Sequence, residues 1–251
     1  MTLALRAESR KLFTTRVWFW LVVLTAGLSL LITGLNAGLT RIDDPANFMQ
    51  DAVSGTTGLA VIISSVLGVI GVTGEYRHLT VTPTFLSVPR RGSVITAKMI
   101  TYGITGLALG ALAVASSVVI TAVIFSARGI DVELGSDDVP RIIVGGIVAS
   151  GIWGVIGVGV GALLRNQVAA VVGILLYRFV VETLIFAIAK VQQAYPYVPG
   201  GATTALSTGS GDRTNGDITL LTPWAGGIVL LAYGVAFAVL AWLFTVRRDV
   251  S

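Results

Sequence analysis

Charged side chains inside apolar stretches are the residues of this sequence whose positions could support chemistry. Arg178 and Glu182 interrupt the apolar run 168–189. They are four residues apart, so on a helix they share one face and lie within reach of each other. An unpaired arginine near the bilayer centre costs about 2.5–3.5 kcal/mol on insertion scales, so pairing is favoured. The spacing therefore predicts an ion pair, flanked by Tyr177, and leaves two roles open: a structural lock or the lining of a transport path.

Other catalytic chemistry has little support in the sequence. The chain has no cysteine and only one histidine, His78, which excludes thiol chemistry and a histidine-based metal cluster or triad. A Gly-x-x-x-x-Gly-Lys-Ser/Thr phosphate-binding loop is missing, so we expect no ATP site of that kind and no cofactor in this chain. An intramembrane enzyme would need a second acid or a base beside Glu182, where the sequence supplies Arg178. We therefore expect the chain not to be an enzyme.

The elements that must position these charges are membrane-spanning helices. The chain of 251 residues is 54% hydrophobic and only 12% charged, against about 25% charged residues in ordinary soluble domains. Because about 20 apolar residues cross a bilayer as a helix, we predict a single all-α membrane domain with six spans. Their predicted bounds are 17–37, 55–73, 99–125, 142–164, 168–189 and 224–246.

Segments outside the spans also have predicted roles. Residues 1–16 alternate basic and apolar side chains, which favours an amphipathic helix lying on the membrane surface over a disordered basic tail. Segment 74–98 is the longest polar island on the predicted cytoplasmic side, and 190–223 is the longest external loop. The middle of that external loop, 202–206, is apolar enough to enter the outer leaflet as a short helix. Small residues repeat every four positions in the fourth span, which predicts close helix packing rather than a ligand site.

The distribution of basic residues predicts the orientation. Of the 17 Lys and Arg residues, eleven fall on the side that holds both termini: Arg6, Arg10, Lys11, Arg16, Arg77, Arg90, Arg91, Lys98, Arg165, Arg247 and Arg248. Five fall on the other side: Arg41, Arg128, Arg141, Lys190 and Arg213. Since basic loops stay in the cytoplasm, we expect both termini there, in a multi-pass membrane protein. This distribution fits a membrane orientation better than nucleic-acid binding.

The polar island 74–98 contains a predicted short helix. Thr82-Pro83 is typical of a helix start, because threonine caps the first turn and proline is tolerated at the first helical position. Pro89 ends the helix after one or two turns, since proline pushes the preceding residue out of the helical region. Phe85 and Leu86 give the helix an apolar side. A basic turn, Arg90-Arg91, leads into the next span, which carries Lys98.

This loop resembles the first cytoplasmic loop of the ABC type 2 permease family, the membrane subunits of ATP-driven exporters. The family's loop carries Glu-Phe/Tyr-Arg, a threonine-rich segment with a short helix, Pro-Arg-Arg, and a lysine at the start of the next span. The matching residues here are Glu75-Tyr76-Arg77, Thr80, Thr82, Pro89-Arg90-Arg91 and Lys98. The match covers about a tenth of the chain, the six-span layout also fits, and Leu79 departs from the glycine of many relatives.

The resemblance implies a function, partners and a location in a bacterial plasma membrane. A second permease chain, the same or similar, would complete the translocation path, and two copies of a separate ATP-binding subunit would bind ATP and Mg²⁺. Those subunits would dock on the short helix around Phe85 and Leu86. The family's surface helix at the N-terminus fits residues 1–16, and its fifth span borders the path, which favours a path role for Tyr177, Arg178 and Glu182. The apolar spans favour a hydrophobic or amphipathic cargo such as a drug, an antibiotic or a lipid.

Two alternatives to an exporter remain at this point. An intramembrane enzyme, for instance a lipid-modifying transferase or a protease, would use Glu182 together with a second catalytic group. A channel or secondary transporter would need broken spans, polar filters or internal repeats. The sequence contains no clear repeat.

Overall fold

Long helices make up almost all of the described chain. The structure is a computed structural model that describes residues 2–39, 44–77, 91–130, 138–208, 214–215 and 218–247. Its α-helices are α1 (Thr2–Thr14), α2 (Val17–Leu39), α3 (Pro45–Arg77), α4 (Arg91–Arg128), α5 (Val139–Leu164), α6 (Gln167–Leu176), α7 (Glu182–Ala187), α8 (Pro199–Ser207) and α9 (Pro223–Arg247). A π-helical turn, Tyr177–Val181, joins α6 to α7, and a 3-10 helix covers Gln192–Tyr197. Two antiparallel two-residue strands, β1 (Thr214–Asn215) and β2 (Ile218–Thr219), precede α9.

Six helices are long and apolar enough to cross a membrane, which confirms the predicted fold class. They are Val17–Leu39, Asn47–Arg77, Gly92–Arg128, Val139–Leu164, Gln167–Ala187 and Pro223–Phe244. The second and third run well beyond the apolar stretches that predicted them, because backbone hydrogen bonding continues into polar sequence. At about 1.5 Å per residue, helices of this length exceed a hydrocarbon core of about 30 Å. Their extra turns carry the polar residues of the loop ends.

Helices α3 and α5 form the centre of the bundle, and small residues bring them together. A side chain on Gly157 would overlap the backbone of Ser65, and one on Gly68 would overlap that of Gly154. Helix α4 packs on α5 through Gly106, which lies against the backbone of Ser150. Such close backbone approach is what small-residue stripes permit in membrane helices. The packing interpretation of the fourth span is confirmed.

The N-terminal helix and the short helix predicted within 190–223 are also present. Helix α1 buries Glu8 and Leu12 against the bundle, while Arg6 and Arg10 stay exposed, as expected for an amphipathic helix. The predicted short helix at 202–206 lies within α8. The Trp153 Nε1–H donates a 2.8 Å hydrogen bond to Thr203 Oγ1. Because Trp153 lies near the middle of α5, α8 reaches deep between the spans.

The chain reverses sharply between α5 and α6. Arg165 has a positive φ of 53°, in the left-handed region that non-glycine residues rarely adopt. Asn166 then caps α6, because its side-chain oxygen accepts a 3.0 Å bond from the Ala169 N–H. The chain therefore makes a tight turn at Arg165 and Asn166, and this turn holds Arg165 beside the end of α3.

Candidate functional site

The predicted docking helix lies outside the described residues. This applies to Thr82, Pro83, Phe85, Leu86, Pro89 and Arg90. The structure describes the two ends of the loop: Glu75, Tyr76 and Arg77 form the last turn of α3, and Arg91 begins α4. These ends lie side by side, since Lys98 Nζ is 2.8 Å from Glu75 Oε1. The loop is therefore held at its base by an ion pair between the two helices that it connects.

That ion pair belongs to a group of four charges, here called the inner ion cluster: Glu8, Lys11, Glu75 and Lys98. Lys98 Nζ is also 2.7 Å from Glu8 Oε2, on the N-terminal helix. Lys11 Nζ lies 2.9 Å from Glu8 Oε1 and 2.6 Å from Glu75 Oε1. Helices α1, α3 and α4 are thus joined by alternating charges.

The inner ion cluster is buried and balanced. The side chains of Glu8 and Lys98 are each only 3% exposed, and that of Glu75 is 14% exposed. The Gly71 carbonyl accepts a further 3.1 Å bond from Lys98 Nζ. Two cations face two carboxylates, so the cluster has no net charge, which is how buried charges become tolerable. Burial alone lowers the pKa of Lys11, but hydrogen bonds and charges of Glu75 and Glu8 outweigh it and raise the pKa.

Sequence reasoning missed Glu8 and Lys11 as partners of the loop. The available signal was the three-residue spacing of Glu8 and Lys11, which puts both on one face of α1, together with an acid in an otherwise basic helix. The resemblance assigns Glu75 and Lys98 to the region that couples to an ATPase. In the structure both side chains form ion pairs within this chain, so they hold the two ends of the loop together.

Tyr76 and Arg77 face a different neighbour, the turn between α5 and α6. The guanidinium carbon of Arg165 lies 5.5 Å from the centre of the Tyr76 ring, a cation–π distance. Arg77 Nη1 is 3.5 Å from Gln167 Oε1, a long hydrogen bond. The end of α3 is therefore packed against the next predicted cytoplasmic turn.

The charges of the fifth span form the predicted pair. Arg178 Nη1 donates a short hydrogen bond to Glu182 Oε2, which confirms the proximity inferred from the four-residue spacing. The local structure differs from the regular helix expected, because Tyr177–Val181 is π-helical. Such turns insert one extra residue and occur frequently at functional sites. The side chain of Glu182 is 2% exposed and that of Arg178 is 20% exposed.

A third group completes this site. Glu182 Oε1 accepts a 2.8 Å hydrogen bond from the backbone N–H of Gly200, in the first turn of α8. A side chain on Gly200 would overlap both the Glu182 carboxylate and the Arg178 guanidinium. Glu182 thus connects the fifth span to α8, and only glycine leaves room for that contact. The sequence contained no sign of this pairing, since the two positions are 18 residues apart and belong to different helices.

Tyr177 borders a cavity as well as the ion pair. It lines a cavity of about 490 Å³ between α5, α6 and α9, together with Trp153, Ile174, Tyr233 and Phe237. Pro199, which precedes Gly200, also lines it. The cavity is mostly apolar, with two tyrosines beside it, and its size falls in the range of small-molecule pockets, about 300–1,000 Å³. An apolar or amphipathic molecule would fit this lining.

The described residues around this pair form no metal site. Among the residues that the structure describes, no three His, Cys, Asp or Glu side chains lie close enough together to hold a metal ion. The oxygens of Glu182 accept hydrogen bonds from the Arg178 guanidinium and the Gly200 N–H, and the Tyr177 side chain interacts with the same carboxylate. The arrangement can fix helices and line a cavity.

Comparison with known proteins leaves the family open. A scan against protein-family models and a search of curated proteins both find no match. The six spanning helices therefore carry the assignment to membrane proteins.

Proposed function

We propose that this chain is the membrane subunit of an ATP-driven exporter of the ABC type 2 kind. The observation that carries the proposal is the loop 74–98, whose motif residues resemble those of that family and whose base is braced by the inner ion cluster. The six spanning helices around it agree with the layout of such subunits. In this proposal ATP and Mg²⁺ bind to a separate partner subunit.

The bracing suggests how motion would be transmitted. A docked ATPase would push on Phe85 and Leu86, and the loop would pass that force to α3 and α4. Because the inner ion cluster ties these helices to α1, the three would move together rather than bend separately. Two such chains would form the path, with two ATPase subunits on their cytoplasmic side. The apolar cavity beside Tyr177 favours a hydrophobic or amphipathic cargo.

An intramembrane enzyme has less support. General acid or base catalysis by Glu182 would need its carboxyl group to exchange a proton with the substrate. Glu182 instead accepts bonds from Arg178 and Gly200. The Arg178–Glu182 pair supports a role in anchoring α8, and through Tyr177 a role at the edge of the cavity.

The proposal is tested by replacing Phe85 and Leu86 with Asp and measuring ATPase coupling. The protein is purified from its native membrane in mild detergent, and co-purified ATPase activity and subunit ratio are recorded. We expect wild-type protein to carry an ATP-binding subunit in a two-to-two ratio by native mass spectrometry. The double variant should insert normally but lose the partner and its ATPase activity.

Val250→Asp provides a control, because it adds a carboxylate on the same predicted side outside the loop. It should retain partner and activity. A wild-type complex without any ATP-binding subunit, or a Phe85→Asp/Leu86→Asp variant with full coupled activity, would overturn the exporter assignment.

A further inference from the structure

A second cavity lies at the ends of the spans, on the side that holds the loop 74–98. Its volume is about 460 Å³, and its polar lining consists of Thr73, Tyr76, Arg77, Arg165, Asn166 and Gln167. We call it the basic pocket. Arg77 is the last residue of one spanning helix, and Arg165 directly follows another. Both positions come just after the apolar stretch of a span, which puts the basic pocket at about the level of the lipid headgroups.

The charge of the basic pocket is not balanced by its lining. It has two arginines and no carboxylate among its lining residues. The neighbouring acid, Glu75, is engaged by Lys11 and Lys98 in the inner ion cluster. One side of α3 is thus neutralised by ion pairs, while the adjacent side presents positive charge to a cavity.

The arginines are held in place but not saturated by their known contacts. The Phe244 carbonyl accepts a 3.3 Å bond from Arg165 Nη2, and the Tyr76 ring lies against the same guanidinium. Gln167 accepts the long bond from Arg77. A guanidinium has five N–H donors in a planar fork that matches phosphate oxygens, and these contacts use one on each arginine.

The N-terminus of α6 lies in the basic pocket, but it is not the group that would attract an anion. Asn166 already caps α6 by accepting the Ala169 N–H. The left-handed backbone at Arg165 instead turns the chain so that its side chain lies beside α3. The two guanidinium groups are therefore the feature that an anion would recognise.

We propose that Arg77 and Arg165 form a binding site for the phosphate group of an anionic ligand, with an anionic phospholipid headgroup as the expected source. Basic pockets between spanning helices on the cytoplasmic side bind such headgroups. The position at the ends of two spans allows the acyl chains to remain in the bilayer. The proposal concerns this pocket alone and holds whether or not the chain is an exporter subunit.

The test measures lipid binding to the purified, delipidated full-length protein by native mass spectrometry. Phosphatidylglycerol, phosphatidylcholine and soluble glycerol 1-phosphate are titrated separately. The variants are Arg77→Gln and the double variant with Arg165→Asn, since asparagine tolerates a positive φ. We expect phosphatidylglycerol to bind more tightly than phosphatidylcholine. Affinity should fall about fivefold in the single variant and about 25-fold in the double variant, at about 1 kcal/mol per arginine.

The matched control is Arg6→Gln/Arg10→Gln, which removes two exposed charges on the same predicted side and should leave binding unchanged. Arg77→Gln alone decides the matter if the double variant does not fold, because Arg77 is exposed at a helix end. Preference for phosphatidylglycerol identifies the headgroup as the source, and equal binding of glycerol 1-phosphate identifies a soluble phosphate. Equal affinity for both lipids, or wild-type phosphatidylglycerol binding by the variants, would overturn the phosphate site.

Discussion

The inner ion cluster and the Arg178–Glu182 pair both place charges among apolar helices. The first joins side chains of separate helices, and the second joins two neighbouring side chains of one span. In the inner ion cluster, the Lys98 and Glu8 charges are 90 residues apart in sequence and join separate helices. Arg178 and Glu182 are four residues apart, and the carboxylate contacts α8 by accepting a hydrogen bond from the Gly200 N–H. The first arrangement braces the end of the bundle near the loop. The second anchors α8 beside an apolar cavity.

In both sites each carboxylate is matched by a cation. A buried pair is expensive to desolvate and gains little over apolar packing, whereas removing one partner leaves an uncompensated charge. Both sites should therefore respond strongly to single substitutions and more weakly to neutral double ones. The effects should differ in size, because Lys98 serves two carboxylates and Arg178 serves one.

The largest effect is expected for Lys98→Met. It would leave Glu8 and Glu75 with Lys11 as their remaining cation in the cluster, and Lys11 is 43% exposed. We expect a loss of about 3–5 kcal/mol in the free energy of unfolding. Thermal unfolding of the detergent-purified protein, followed by tryptophan fluorescence, measures it. Adding Glu8→Gln should restore part of the loss. The exposed Lys190→Met is the control, and a Lys98→Met midpoint equal to wild type would remove the bracing role.

Arg178→Ala should have the next largest effect. It strands a carboxylate that is 2% exposed, although the Gly200 N–H still stabilises it. We expect a loss of about 2–3 kcal/mol, with the double variant Arg178→Ala/Glu182→Ala less affected. The same unfolding assay compares them, with the exposed Phe179→Ala as a control for the π-helical turn.

Glu182→Gln separates structure from transport at the same site. It keeps an oxygen for the Gly200 N–H but removes the negative charge. If the pair borders the path, this variant should fold normally and change transport or cargo range. Single variants of Arg178 and Glu182 that fold and transport like wild type would exclude any role for the pair in the path.

The smallest effect is expected for Lys11→Met and depends on pH. Because the folded-state pKa of Lys11 is raised above 10.5, its stabilising contribution is complete below that pH and is lost as pH rises through the higher value. Its 43% exposed side chain limits the contribution to about 1 kcal/mol or less. Unfolding midpoints of wild type and variant should therefore differ at neutral pH and converge at strongly alkaline pH. The exposed Arg10→Met is the control, and a gap that widens with alkaline pH would contradict this account.

Local periodicity determined much of this protein from the sequence alone. Apolar runs of about 20 residues specify helices that can cross a bilayer, because such runs must satisfy their backbone internally. The small-residue repeats of α5 predicted its close packing, and the four-residue spacing predicted the Arg178–Glu182 contact. These features depend on neighbours within a few turns, so the sequence is sufficient to predict them.

Only the tertiary structure decided which distant groups meet. Glu8 and Lys11 could have faced water on a surface helix, and Gly200 lay in a segment without periodicity. Their partners follow from how α1 and α8 pack against the spans, where burying a charge requires an opposite charge or a hydrogen-bond donor. The basic pocket arises in the same way, because the turn at Arg165 ends beside α3 only once α3 and α5 have packed through their glycines.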